Sequence, residues 1–452
     1  MATNLKTVHA EGTPLSSSPS SDLRHHVGLF TLTAIAINGI IGAAIFVLPA
    51  NVAQLVGQAS ALPYLIAFVA VALVGLCFAS LGAWFDVSGG PYVYAREAFG
   101  GFVGFEAGWL FILARLTAVA AIANVFASYV AYFLPVASAG FWRAVVITSV
   151  FAVLAGANLV GLQYGSFVLN LITIGKLVPL VLFISIGLFF IHIPKGYFFA
   201  VPSPLPLQKA SLLLIFAFTG FEYACVPSEE VIASKHNTPI AIVTAICFTG
   251  LLYTLVQIVC VGTVPILEGD STPLASAANN FLGATAAHVM TMVAILSAAG
   301  TISAVTMVGP RMMYALARGG HLPKALGEIH RRFQTPFISI VLFALAAWIL
   351  SLFNDFAGLA ALSSIARLLY YIASCLAVPI LSPKMRKSGE SGHPSTLGTR
   401  VVPLLATAIC VWLLTSITRH EAIVGVSALL LGALVNFGYR AHRRMPKPDD
   451  PL

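Results

Sequence analysis

Gly39 and Gly42 stand three residues apart in the middle of a hydrophobic run that otherwise reads as one long helix, Asn38-Gly39-Ile40-Ile41-Gly42-Ala43-Ala44-Ile45-Phe46-Val47-Leu48-Pro49. Residues of these types let a helix come apart. In hydrocarbon every free N–H or C=O costs several kcal/mol, so unwound backbone survives there only under a cover of protein or a hydrated cavity. The chemistry such a break offers is recognition: a helix C-terminus presents carbonyls with partial negative charge, and a helix N-terminus presents amides with partial positive charge. A small zwitterion matches both ends. A second run of this character, Phe216-Ala217-Phe218-Thr219-Gly220-Phe221-Glu222, lies in a later hydrophobic stretch and is followed by Pro227. The expected arrangement places a carboxylate at the amides of Gly42, Ala43 and Ala44, and an ammonium at carbonyls near Ile40, Ile41, Phe216, Ala217 and Thr219. Gly220 belongs to the same set, and Phe221 is placed over the ligand as a thin gate. The plainer alternative for each glycine pair is helix packing, since small residues are common where membrane helices touch. For Phe221 it is ordinary core.

Charged side chains inside hydrophobic runs are the other candidates, because they are expensive in hydrocarbon and functional by default. Lys176, in Ile174-Gly175-Lys176-Leu177-Val178-Pro179, is expected either to cap free carbonyls as a structural cation or to couple transport to a proton. In the second role it holds one conformation when charged and releases it when neutral. Arg115 and Arg367 are expected in fixed ion pairs, with Glu106 or Glu222 among the partners, because buried charges are usually paired. The other reading has one of them meet a carboxylate on a ligand. Glu222 has a further role open to it, anchoring the unwound segment after Phe216. Glu229 and Glu230, beside Lys235, are expected at the inner mouth, and His288 reads as a satisfied interior histidine. The six cysteines show no metal-ligand spacing and read as small core residues. There is no Gly-Lys-Ser/Thr phosphate loop, no His-Glu-x-x-His and no nucleophile elbow. The expectation is therefore no enzyme, no metal and no cofactor, with a proton gradient or exchange as the driving force.

The elements that must position these residues follow from composition. Of 452 residues, 59% are hydrophobic and 9% charged, where soluble domains carry about a quarter charged. Windows long enough to cross about 30 Å of hydrocarbon lie near 28–50, 61–83, 105–131, 144–161, 165–191, 211–231, 239–265, 285–310, 337–353, 356–381, 401–418 and 421–440. The fold expected is an all-α polytopic membrane protein of twelve transmembrane helices. Short cytoplasmic loops retain excess Lys and Arg. With both termini cytoplasmic, only Arg143, Lys195, Lys209 and Arg419 fall outside, while Arg115, Lys176 and Arg367 lie within spans. The net charge of +8 is then topological, and no nucleic-acid or obligate protein partner is indicated. The expected location is the plasma membrane, or the inner membrane of a bacterium, in contact with lipid.

Two interrupted spans at corresponding places in two halves are the mark of an inverted-repeat transporter. The expected organisation is a disordered cytoplasmic tail over 1–26, without signal-peptide character. A first repeat over 27–191 (helices 1–5) follows, then a Pro-rich outer linker over 192–210 and a second repeat over 211–381 (helices 6–10). A cytoplasmic linker over 382–400, helices 11 and 12 over 401–440 and a cytoplasmic tail over 441–452 complete it. No ring of carbonyls or repeated filter loop suggests an ion channel.

Four stretches in order carry a resemblance to the amino acid, polyamine and organocation transporter superfamily, over roughly residues 27 to 440. They are Gly39 to Phe46; Val87-Ser88-Gly89-Gly90-Pro91-Tyr92-Val93-Tyr94 with Ala98-Phe99-Gly100; Phe216 to Glu222 with Ser228-Glu229-Glu230; and Pro310 to Arg318 with Leu322-Pro323 and Thr335-Pro336. The resemblance implies a five-plus-five inverted repeat, with discontinuous helices 1 and 6, working by alternating access. It also implies that Lys176 stands where sodium sits in sodium-coupled relatives. The expected function is secondary active transport of L-amino acids by proton-coupled symport. An amino acid or polyamine exchanger is the alternative, and a non-transporting nutrient sensor a further one.

Overall fold

Backbone polar groups in hydrocarbon must find partners within their own segment, and the apolar windows of this chain do so as α-helices. The computed structural model describes residues 28–85, 90–161, 166–192, 202–225, 231–387 and 397–444. Among the described residues the regular structure is helical. In chain order it comprises α1 (Leu29–Ile40), α2 (Leu48–Val56), α3 (Ala61–Trp84), α4 (Pro91–Phe99), α5 (Gly101–Phe133), α6 (Gly140–Leu159), α7 (Ser166–Gly187) and α8 (Pro204–Ala217). There follow α9 (Ser234–Thr263), α10 (Pro273–Leu282), α11 (Ala284–Arg318), α12 (Phe337–Phe353), α13 (Phe356–Lys387), α14 (Val402–Leu414) and α15 (Arg419–Arg444).

Among the described residues, eight helical segments are long and apolar enough to cross a membrane, and the protein is a multi-pass membrane protein. Shorter apolar helices at Leu29–Ile40, Thr173–Gly187, Phe337–Phe353 and Gly398–Leu414 occupy the remaining hydrophobic windows. Burial sorts these elements into an interior and a rim. The apolar windows of α5 and of Pro204–Ala224 are 78% buried, whereas those of α6 and α15 are 22% and 11% buried. The outer helices turn large apolar side chains such as Phe141, Leu430 and Leu434 outward, as lipid-facing helices must. α5 is the central strut, packed on α11 and α13, while α3 and α1 pack on α9. With 33 residues it is about 50 Å long, well beyond the hydrocarbon thickness.

Two helices stop inside the apolar region. The buried stripe of α1, Leu32, Ala36 and Ile40, ends where Ile41 leaves helical geometry, and a single 3₁₀ turn over Ala44–Phe46 leads into α2, with Pro49 in its first turn. The α8 helix ends at Ala217. Its chain turns through Gly220 at φ +118°, a left-handed conformation that favours glycine, into a 3₁₀ segment over Phe221–Cys225.

The tail over 1–26, Val87 to Gly89, Pro194 to Gly196, Glu229 and Glu230, residues 388–396 of the linker and Lys447 in the C-terminal tail lie outside the described residues. Two readings of single residues change. His288 is exposed on the first turns of α11, against the rings of Tyr132 and Phe133, and is not an interior histidine. Cys77, Cys260, Cys375 and Cys410 are buried as core residues, but Cys247 is exposed.

Candidate functional site

The two breaks meet. A Cβ added to Gly39 would lie 2.8 Å from the carbonyl oxygen of Gly220 and against the ring of Tyr223. One added to Gly220 would fall on the carbonyl group of Gly39. Backbone therefore crosses backbone at this point, and no other residue fits at either position. Gly42 differs, since its nearest neighbour, Oγ1 of Thr301 on α11, would stand 3.4 Å from a Cβ, an ordinary contact.

Each end of the broken backbone has found partners. The Ile41 amide donates to the carbonyl of Ile37 at 2.8 Å, and the Gly42 amide turns back to the carbonyl of Ile40 at 2.7 Å. Of the three amides expected to receive a carboxylate, that of Gly42 is thus committed in this conformation. Four of the carbonyls expected to receive an ammonium, those of Ile40, Ile41, Phe216 and Ala217, are engaged too. Lys176, buried on α7, donates from Nζ to the carbonyl of Asn38 at 3.2 Å and to that of Ile41. The hydroxyl of Tyr253 on α9 lies 2.9 Å from the Ile40 oxygen and 3.4 Å from the Ala217 oxygen, so one hydroxyl stands between the carbonyl ends of α1 and α8. Thr219 closes its own turn, its Oγ1 donating to the carbonyl of Phe216 at 2.8 Å. Ala43 and Ala44 are buried beside them.

A charge cluster abuts the junction. Glu222 accepts at Oε1 from Arg115 Nη2 at 2.8 Å and from Arg367 Nη1 at 3.0 Å, with the Tyr370 hydroxyl at 3.4 Å. Its Oε2 accepts from the amide of Gly220 at 2.9 Å. The carboxylate thereby ties α5 and α13 to the turn that unwinds α8. Arg115 also donates from Nη1 to the Tyr223 hydroxyl at 2.7 Å and sits over the rings of Phe111 and Tyr223. Arg367 donates from Nε to Ser363 Oγ at 3.3 Å, and Ser363 in turn donates to the carbonyl of Ala114 at 2.7 Å. Arg115, Glu222 and Arg367 are each at most 3% exposed. Of the two carboxylates named from the sequence, Glu222 pairs with the arginines; Glu106 lies against Gly432 of α15.

Phe221 is fully buried, its ring 5.5 Å from that of Phe78 and 5.7 Å from that of Tyr371. This aromatic cluster bridges α3, α13 and the α8 turn. On the other side of the junction a half-open cavity of about 800 Å³ is lined by Val47, Asn51, Asn124, Arg143, Asp270 and Phe356, among others. Phe356 meets Phe216 edge-on at 5.8 Å, so the cavity wall reaches the end of α8. Arg143 donates to Asn124 Oδ1 at 2.9 Å, and Asn124 donates to the carbonyls of Ser351 and Asn354 at the end of α12. Reading the sequence singled out none of Tyr253, Tyr223, Tyr370, Ser363 or Asn124. The signal available for Tyr253 was a tyrosine well inside a span, away from the interfacial belt where the residue usually sits.

The protein-family model described as "Amino acid permease" matches residues 27–428. The chain is 26% identical over 454 residues to a methylthioribose transporter of Bacillus subtilis, covering 96% of this chain and 97% of the relative. It is 25% identical to a branched-chain amino acid permease of the same organism, covering 95% and 96%. Similarity to a vacuolar cationic amino acid transporter of Arabidopsis thaliana is 28% identity, over 82% of this chain and 61% of that protein.

Proposed function

The chain belongs to the amino acid permease family, and from that premise we propose that it is a secondary active transporter of L-amino acids, working as a proton-coupled symporter by alternating access. Two relatives whose names specify amino acids, one branched-chain and one cationic, support the substrate class. The proposed architecture is twelve spans in a five-plus-five inverted repeat with two appended helices, both termini cytoplasmic, in the plasma membrane. The paired helix breaks and the Lys/Arg distribution support it.

The observation that carries the mechanism is the seat of Lys176. Its ammonium bonds the carbonyls of Asn38 and Ile41, the last groups of α1 before the chain unwinds. A charged lysine holds that end in place, and a neutral amine offers fewer donors and releases it. In this reading the zwitterion sits between the breaks, its carboxylate at the amides of Ala43 and Ala44, joined by Gly42 once the Gly42–Ile40 bond opens. Its ammonium takes carbonyls among Ile40, Ile41, Phe216, Ala217 and Thr219, where Tyr253 and Lys176 now stand. Gly220 supplies the crossing, and Phe221 moves only if its aromatic cluster parts.

The test is uptake into proteoliposomes under an imposed pH gradient. Lys176→Ala is expected to abolish or uncouple pH-driven accumulation while substrate binding, measured in parallel by thermal shift, persists. Unchanged proton-dependent accumulation in the variant removes the lysine assignment. Accumulation that instead requires internal substrate, with no response to pH, identifies an exchanger in which Lys176 is structural.

A further inference from the structure

Among the described residues, the charges at the junction do not balance. Arg115 and Arg367 share the single carboxylate of Glu222, and all three are nearly sealed from solvent. That carboxylate is fully engaged, with two guanidinium groups and a tyrosine hydroxyl at Oε1 and a backbone amide at Oε2. Glu106, nine residues earlier on α5 and so about 14 Å along its axis, is too far to complete the pair. Its oxygens meet no donor among the described residues.

Arg115 is the cation left short. Its Nε finds no partner among the described residues, although Arg115 is only 2% exposed. The guanidinium sits over two aromatic rings, at 4.7 Å from Phe111 and 4.6 Å from Tyr223, and its open donor lies in the guanidinium plane, the direction from which a carboxylate binds. The ring of Tyr223 that covers it is also the ring against Gly39, so one side chain separates this guanidinium from the broken end of α1. A buried, unmatched cation is costly in hydrocarbon, and an anionic ligand group removes that cost on binding.

We propose that the preferred cargo is an acidic amino acid, whose side-chain carboxylate is bound by Arg115 beside the Glu222–Arg367 pair. The proposal rests on the amino acid transport reading above and adds the substrate class. It assigns Arg115 as the residue that sets specificity, with Tyr223 positioning it.

The full-length protein is purified and its thermal stability and proteoliposome uptake are measured with L-glutamate, L-aspartate, L-glutamine, L-asparagine, L-leucine and L-lysine. Glutamate or aspartate is expected to stabilise the protein and be carried, with the matching amide at least about tenfold weaker, as for loss of one charge-assisted hydrogen bond. Arg115→Gln is expected to lose that discrimination, acid affinity falling about tenfold while glutamine binding is retained. Should this variant fail to fold, the glutamate-to-glutamine ratio of the unmodified protein decides alone. Equal or better binding of the amides, or transport confined to neutral or cationic amino acids, overturns the acidic-cargo proposal and leaves amino acid transport standing. Failure of every amino acid to bind or be carried overturns the transport reading itself.

Discussion

Gly39, Gly42 and Gly220 look alike in the sequence and differ in what surrounds them. A Cβ at 220 would collide with the Gly39 carbonyl in a backbone conformation that L side chains rarely adopt, so Gly220→Ala is expected to cost about 1–3 kcal/mol or more. Gly42→Ala meets only ordinary contacts and is expected to leave thermal unfolding in detergent nearly unchanged. A melting-temperature comparison of the two variants checks this ordering. Glu222 holds two guanidinium groups, and Glu222→Gln leaves both without a counter-charge. A loss of about 3–5 kcal/mol is expected, since removing one partner of a buried ion pair strands the other. The combination Arg115→Met, Arg367→Met, Glu222→Gln is expected to recover much of that stability in the same assay, because buried ion clusters are often replaceable by apolar side chains of similar volume.

At the carbonyl ends of the broken helices the Tyr253 hydroxyl stands between Ile40 and Ala217, nearer to Ile40, beside the Lys176 ammonium on Ile41. Tyr253→Phe keeps the ring and removes the bond. Polar contacts between membrane helices average about 0.6 kcal/mol and reach about 1.7, and a stability loss in that interval is expected from thermal unfolding. The breaks themselves were legible in the sequence, because two separate apolar runs each carry glycine among small residues at their middle, and the second carries a carboxylate beside it. Lys176, Arg115, Glu222 and Arg367 were legible as well, since a charge in an apolar window declares itself. Their partners were not. Glu106 shares α5 with Arg115 and lies about 14 Å away along its axis. That Arg115 meets Glu222 depends on which neighbour α5 turns it toward, and that rotation is set by packing on α11 and α13 rather than by the order of residues in α5. The committed amide of Gly42 was hidden for a related reason: backbone bonds inside an irregular turn follow from its dihedral angles.

Seen end to end, the molecule is asymmetric about its junction. A cavity of about 800 Å³ opens on one side, while Phe78, Phe221 and Tyr371 close the other. Under the proposed topology the open side is the extracellular one. In a Cys247→Ser background, Ser128→Cys on the cavity wall is expected to react with a membrane-impermeant maleimide added to intact cells, and more slowly with saturating substrate. Reaction only after access to the cytoplasmic face would reverse the orientation. The crossing of Gly39 over Gly220 has a consequence for how such a molecule acquires new cargo. Peptide groups are common to every amino acid and no codon change alters their chemistry, so the two glycines form an immutable floor, and selection acts on the walls contributed by α5, α9, α11 and α13. Libraries built to redirect uptake are best confined to those walls, around Arg115, Tyr253, Thr301 and Arg367, with positions 39 and 220 held fixed.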